Sequence, residues 1–175
     1  MLPYPLHPAV VHFPVVFALL LPLFVIGALW MIRRGANARR AWVFPIGCAA
    51  ALALSSWAAV QTGGAQSERV EQVVSEQAIE SHEEVAEAFL AVSAGVAIVA
   101  LFGLAGGTLG RAARGATVVG ALTLAGLAAR VGHSGGQLVY RYGAASAYTS
   151  KTTTSSGDVA ERETALPIRR IDRPR

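Results

Sequence analysis

Only four histidines occur in the 175 residues, His7, His12, His82 and His133, and they are the side chains best suited to chemistry in this chain. Neutral imidazole ligates haem iron and other metals. The other usual reagents are scarce or badly spaced. The single cysteine, Cys48, offers neither a disulfide nor a paired thiolate metal site and reads as a small core residue. There is no His-Glu-x-x-His. Ile79-Glu80-Ser81-His82 places an isoleucine where a di-iron carboxylate site needs its glutamate. Ser134, in His133-Ser134-Gly135-Gly136, reads as part of a helix-ending turn rather than a nucleophile elbow. No carboxylate interrupts the apolar stretches, which argues against a proton-relay pump or transporter.

The elements that must position these imidazoles are apolar. Hydrophobic residues make up 53% of the chain and charged residues only 15%, against about 25% charged in a soluble domain. This excludes a disulfide-stapled secreted domain and a soluble nucleic-acid binder. Four apolar blocks approach the ~20 residues that cross a ~30 Å hydrocarbon layer as helix. They run from Phe13 to Ile32, from Ala41 to about Ala65, between Glu87 and Arg111, and between Arg114 and Arg130 with continuation to His133. Backbone groups in lipid must be satisfied within their own segment, so the blocks are helices. Small residues such as Gly47, Ala51, Gly120 and Ala121 suit close helix packing, and Pro14 and Pro22 are expected to bend the first span. Trp30, Trp42 and Trp57 are expected at headgroup level.

Arginines set the direction of threading. Arg33, Arg34, Arg39 and Arg40 lie between spans one and two, and Arg111 and Arg114 between spans three and four. The intervening segment, Gln66 to Glu84, holds Arg69 among six glutamates. Retention of arginine on the cytoplasmic side places the termini and the acidic loop outside. The sequence pI near 9.8 is then a topology signal and not a nucleic-acid groove. Every histidine falls near an outer span end. With residues 76–93 as helix, His82 shares an apolar stripe with Ala78, Ile79, Val85, Ala86 and Phe89, opposite the glutamates. For His133, Ala129 and Gly126 leave room one and two turns back. Two histidines from different helices near a membrane surface are a means of holding b-type haem. A zinc or copper site, or histidines that merely hydrogen-bond helix ends together in a non-enzymatic scaffold, remain open alternatives.

Several segments together resemble a bacterial membrane-protein family, the domain of unknown function 2231. They are Leu6-His7-Pro8-Ala9-Val10-Val11-His12-Phe13-Pro14, Gln61-Thr62-Gly63-Gly64-Ala65, Ile79-Glu80-Ser81-His82-Glu83-Glu84, and Gly132-His133-Ser134-Gly135-Gly136-Gln137-Leu138-Val139-Tyr140-Arg141-Tyr142-Gly143. The second is similar to a family turn after span two. Tyr142 stands where members often carry a further histidine. The resemblance covers residues 6–144 and implies a four-span integral membrane protein, some relatives being joined to Rieske-type iron–sulfur domains.

The expectation is therefore all-α. A four-helix transmembrane bundle over residues 1–146 carries a helical acidic extracytoplasmic loop and is followed by a disordered polar and basic tail over 147–175. No internal repeat is strong enough to argue from. His82 and His133 are the favoured cofactor or metal ligands, with His12 and His7 the alternative pair or a supporting shell. The expected setting is the bacterial inner membrane. Haem b is the expected cofactor, a periplasmic redox protein or a quinol the expected partner, and no independent catalytic activity is expected.

Overall fold

The computed structural model describes residues 5–149; of the tail expected over 147–175, residues 147–149 fall in a short helix and the rest lies outside the described residues. All regular structure among the described residues is helical: α1 (His7–Val10), α2 (His12–Arg33), α3 (Ala38–Val70), α4 (Glu76–Phe102), α5 (Gly107–Tyr140) and α6 (Ser146–Thr149). Four helices are long and apolar enough to cross a membrane, the first counted from His7 through α1 and α2 to Arg33. The largest helix pairings are α2 with α3, α4 with α5, α3 with α4 and α2 with α5. This is a closed ring in which α2 and α4 stand on one diagonal and α3 and α5 on the other.

A coiled-coil-like register explains the packing. The buried residues of α2 are Pro14, Ala18, Leu21, Val25 and Ala28, and those of α3 include Trp42, Pro45, Ala49, Leu52, Ser56 and Ala59. α4 buries Ile79, Phe89, Ser93, Val96 and Ala100, and α5 buries Gly110, Ala113, Thr117, Ala121, Leu124 and Ala128. Steps of three and four residues turn one narrow seam of each helix inward. Many seam residues are small, so backbones approach closely: a methyl added at Gly120 would lie 2.5 Å from Val96 Cγ2. Bulky side chains such as Phe13, Leu23, Phe44, Leu54 and Leu122 face outward, as lipid requires.

Several sequence expectations are corrected. Gly135 and Gly136 do not end α5, which runs on to Tyr140, and Thr62-Gly63-Gly64 is helix rather than turn. The acidic segment is largely helical, as expected, with Glu68 on α3, Glu71 in the connection Glu71–Ser75 and the other glutamates on α4. Arg111 and Arg114 belong to the start of α5, because the connection after α4 is only Gly103–Gly106. Trp42 is fully buried instead of at headgroup level, while Trp30 and Trp57 are exposed. The Trp42 indole donates to Ala100 O at 2.9 Å, and a side chain at Gly103 would collide with its ring. The first span does break near its start, at Val11 between α1 and α2, but α2 continues through Pro22 to Arg33. Cys48 is buried, as expected.

Candidate functional site

Following each seam toward the acidic end leads to the site. Below Pro14 the three-and-four register reaches Val11 and His7, and beyond Ala59 it reaches Gly63 and Gln66. On α4 it passes from Phe89 through Ala86 to His82 and Ile79, and on α5 from Ala128 to Val131 and Gly135. All of these positions except Pro14 and Ala128 line one cleft of about 780 Å³. A volume of that order is typical of a small-molecule or cofactor pocket, about 300–1,000 Å³. Within the core, one layer thus consists of His7, Gly63, His82 and Gly135. The imidazoles come from the α1–α2 span and from α4, on one diagonal, and the glycines from α3 and α5, on the other.

Each imidazole is fixed in the same way. His7 Nδ1 donates to Ala59 O at 2.9 Å and lies 3.3 Å from Thr62 Oγ1. His82 Nδ1 lies 2.8 Å from Ser134 Oγ. Ser134 Oγ also lies 3.0 Å from Val131 O, so its single proton serves either that carbonyl or the ring. The Ala59 carbonyl can only accept, so the His7 proton sits on Nδ1 and the lone pair on Nε2, the tautomer that a ligating histidine needs; His82 takes the same form when Ser134 donates to Val131 O. The hydroxyl residue is followed by the glycine against which the ring packs. A Cβ at Gly63 would lie 3.1 Å from His7 Cε1, and one at Gly135 would lie 3.2 Å from His82 Cε1. Each helical hairpin thus contributes the same half-site, histidine on its first span and Thr-Gly or Ser-Gly on its second. The rings are also near enough to interact electrostatically.

The surroundings are mostly apolar, with Phe89 and Ile79 buried beside the cleft. Polar tethering comes from Gln66, which is buried at the end of the α3 seam. With its amide oxygen toward the backbone N–H groups of Leu6 and His7, both at 3.2 Å, its nitrogen donates to Tyr148 Oη at 2.8 Å. One side chain thereby ties the segment before α2 and the short α6 to α3. Glu83 is half-buried on the cleft wall, whereas Glu76, Glu80, Glu84 and Glu87 are exposed.

Of the four sequence candidates, the structure brings His7 and His82 to the cleft. His12, the first residue of α2, and His133 are exposed and lie outside its lining. His133 falls between the seam positions Val131 and Gly135, which turns its ring outward, and Gln137 Nε2 donates to its Nε2 at 3.1 Å. The favoured pairing of His82 with His133 is therefore replaced, as a matter of placement, by His82 with His7. Sequence reasoning missed Gly63, Gly135, Thr62, Ser134 and Ala59 as partners of the imidazoles. Extending the heptad spacing into the motifs at the span ends would have found the two glycines. Among the described residues, no three His, Cys, Asp or Glu side chains are grouped to hold a metal ion. The cleft offers two imidazoles, short of the three or four protein ligands usual for zinc. Two are sufficient for an iron whose other four ligands come from a macrocycle.

Comparison with known proteins gives one match: a family model described as predicted membrane protein (DUF2231) covers residues 3–147. No curated protein and no solved structure matches significantly.

Proposed function

Because the chain belongs to the family of predicted membrane proteins called domain of unknown function 2231, we propose a role suited to such a bundle: a small redox-associated membrane subunit that holds b-type haem between His7 and His82. The observation that carries this reading is the layer in which two glycines lie against two imidazoles, each held through Nδ1, on a cleft of about 780 Å³. Glycine lets each ring seat against the helix of the neighbouring span, and the Nδ1 hydrogen bonds fix the rings' orientation before anything binds. Haem, when bound, would supply one-electron transfer, and two imidazole ligands leave no open iron position for oxygen.

The arginine end faces the cytoplasm and the cleft lies at the outer face of the bacterial inner membrane, since arginine is retained inside. About 20 residues of α3 beyond Ala41 reach Gln61, which sets Ala59 and Thr62 near the outer edge of the hydrocarbon layer. With a single site at one face, the subunit exchanges electrons on that side, with a periplasmic redox protein or a quinol, rather than across the bilayer.

The competing reading is a scaffold in which the imidazoles are staples. It uses the same Nδ1 bonds and the same packing of ring on glycine, but leaves the cleft of about 780 Å³ without an occupant. Visible absorption and iron content of the detergent-purified full chain, expressed with ample haem precursor, separate the two. A Soret band with about one iron per chain is expected. Colourless, iron-free protein would leave the scaffold reading in place.

A further inference from the structure

The opposite end of the bundle has a charge problem that the histidine site does not address. Arg33, Arg34, Arg39, Arg40, Arg111 and Arg114 gather where α2 ends, α3 begins and α5 begins, yet every carboxylate among the described residues lies between Glu68 and Glu87. α3 alone separates the two ends by about 50 Å at 1.5 Å per residue. Two of the six guanidinium groups are engaged within the protein. Arg34 stacks over Trp30 at 4.7 Å. Arg114 Nε donates to Gly103 O at 2.8 Å, its guanidinium 5.7 Å from the Trp42 ring.

Arg39 and Arg40 are placed differently. Both are exposed, and both line a groove of about 510 Å³ completed by Val43 on α3 and by Leu104 and Ala105 in the α4–α5 connection. Two arginines and three apolar residues lining one shallow, open groove match a molecule with an anionic head and a hydrocarbon chain. Guanidinium pairs with phosphate oxygens through parallel hydrogen bonds, and a basic pocket between membrane helices on the cytoplasmic side suits an anionic lipid headgroup. We propose that this groove is a binding site for an anionic phospholipid, its phosphate on Arg39 and Arg40 and its acyl chain along Val43 and Leu104. The lipid supplies the negative charge that this end of the chain lacks, and it ties the start of α3 to the α4–α5 connection. This site is independent of the histidine cleft.

Native mass spectrometry of the detergent-purified full chain tests it, with added phosphatidylglycerol or phosphatidylcholine. Phosphatidylglycerol adducts should survive at collision energies that strip phosphatidylcholine, and an equal concentration of inorganic phosphate should not displace them. A double variant Arg39→Gln, Arg40→Gln should retain at least fivefold less phosphatidylglycerol, whereas Arg33→Gln, Arg34→Gln, with the same loss of charge, should bind as the parent does. Ala105→Trp, which fills the groove and keeps both arginines, should also lose the lipid. Equal retention of the two lipids, displacement by phosphate, or equal losses in the two double variants would overturn the proposal.

Discussion

Replacing Gly135 and Gly136 with alanine, one at a time, separates two effects that neighbouring glycines in one helix would otherwise share. Both lie inside α5, so each alanine gains about 0.5–1 kcal/mol of helix propensity. At Gly136 nothing lies within 4 Å of the added Cβ, and the gain stands alone. At Gly135 the Cβ lies 3.2 Å from His82 Cε1, closer than ordinary contact at 3.4–4 Å. The ring must give by a few tenths of an ångström while held by its 2.8 Å bond to Ser134 Oγ. Overpacking of this kind costs about 1–3 kcal/mol. The two variants should therefore differ by about 1–3 kcal/mol, with Gly136→Ala above the parent and Gly135→Ala at or below it, a separation of several degrees in Tm for a chain this long. Thermal unfolding in detergent, followed by circular dichroism, measures this. Gly63 and Gly64 form a second such pair, with His7 Cε1 3.1 Å from a Cβ at Gly63 and nothing within 4 Å at Gly64. Equal stabilisation by both members of either pair would refute the packing of imidazole on glycine.

Other perturbations have distinct outcomes. Ser134→Ala leaves His82 Nδ1 without its hydrogen-bond partner and should cost about 1–3 kcal/mol in thermal unfolding; Ser134→Thr, which keeps the hydroxyl, should recover most of it. Gly103→Ala puts a methyl into the Trp42 indole, and the forced shift should lower stability by about 1–3 kcal/mol, read by thermal unfolding in detergent. Trp42→Phe removes one of two donors to Ala100 O, which keeps the Gly103 N–H at 3.0 Å; a loss of about 1–2 kcal/mol is expected from the lost hydrogen bond and the smaller ring in a fully buried site.

Four helices were legible because length and apolar content in lipid leave no other backbone solution. Their ends were less legible. Glycine in water terminates helices, so Gly135-Gly136 read as a stop, and the family resemblance made a turn of Thr62-Gly63-Gly64; in the bundle, Gly63 and Gly135 are seam positions where a ring from another helix takes the space of a side chain. The facing of His82 was readable from the glutamates on the far side of α4. That of His133 was not, because Gly126 and Ala129 suggested an inward stripe, whereas the packed seam is Leu124 and Ala128, leading to Val131. His7 was masked by its position before the first long apolar run. Only the register through Pro14, Ala18 and Leu21, counted backward, puts it on the core side. The equivalence of the two hairpins left no sequence repeat because it rests on a handful of positions, chiefly His7, Thr62 and Gly63 matching His82, Ser134 and Gly135.

The most direct measurement is the visible spectrum of four single variants, His7→Ala, His12→Ala, His82→Ala and His133→Ala, purified alongside the parent. Loss or a marked shift of the Soret band in the first and third, with parental spectra in the other two, is the predicted pattern. Retention of the band without His7, or its loss without His133, would contradict the pairing of ligands across the cleft.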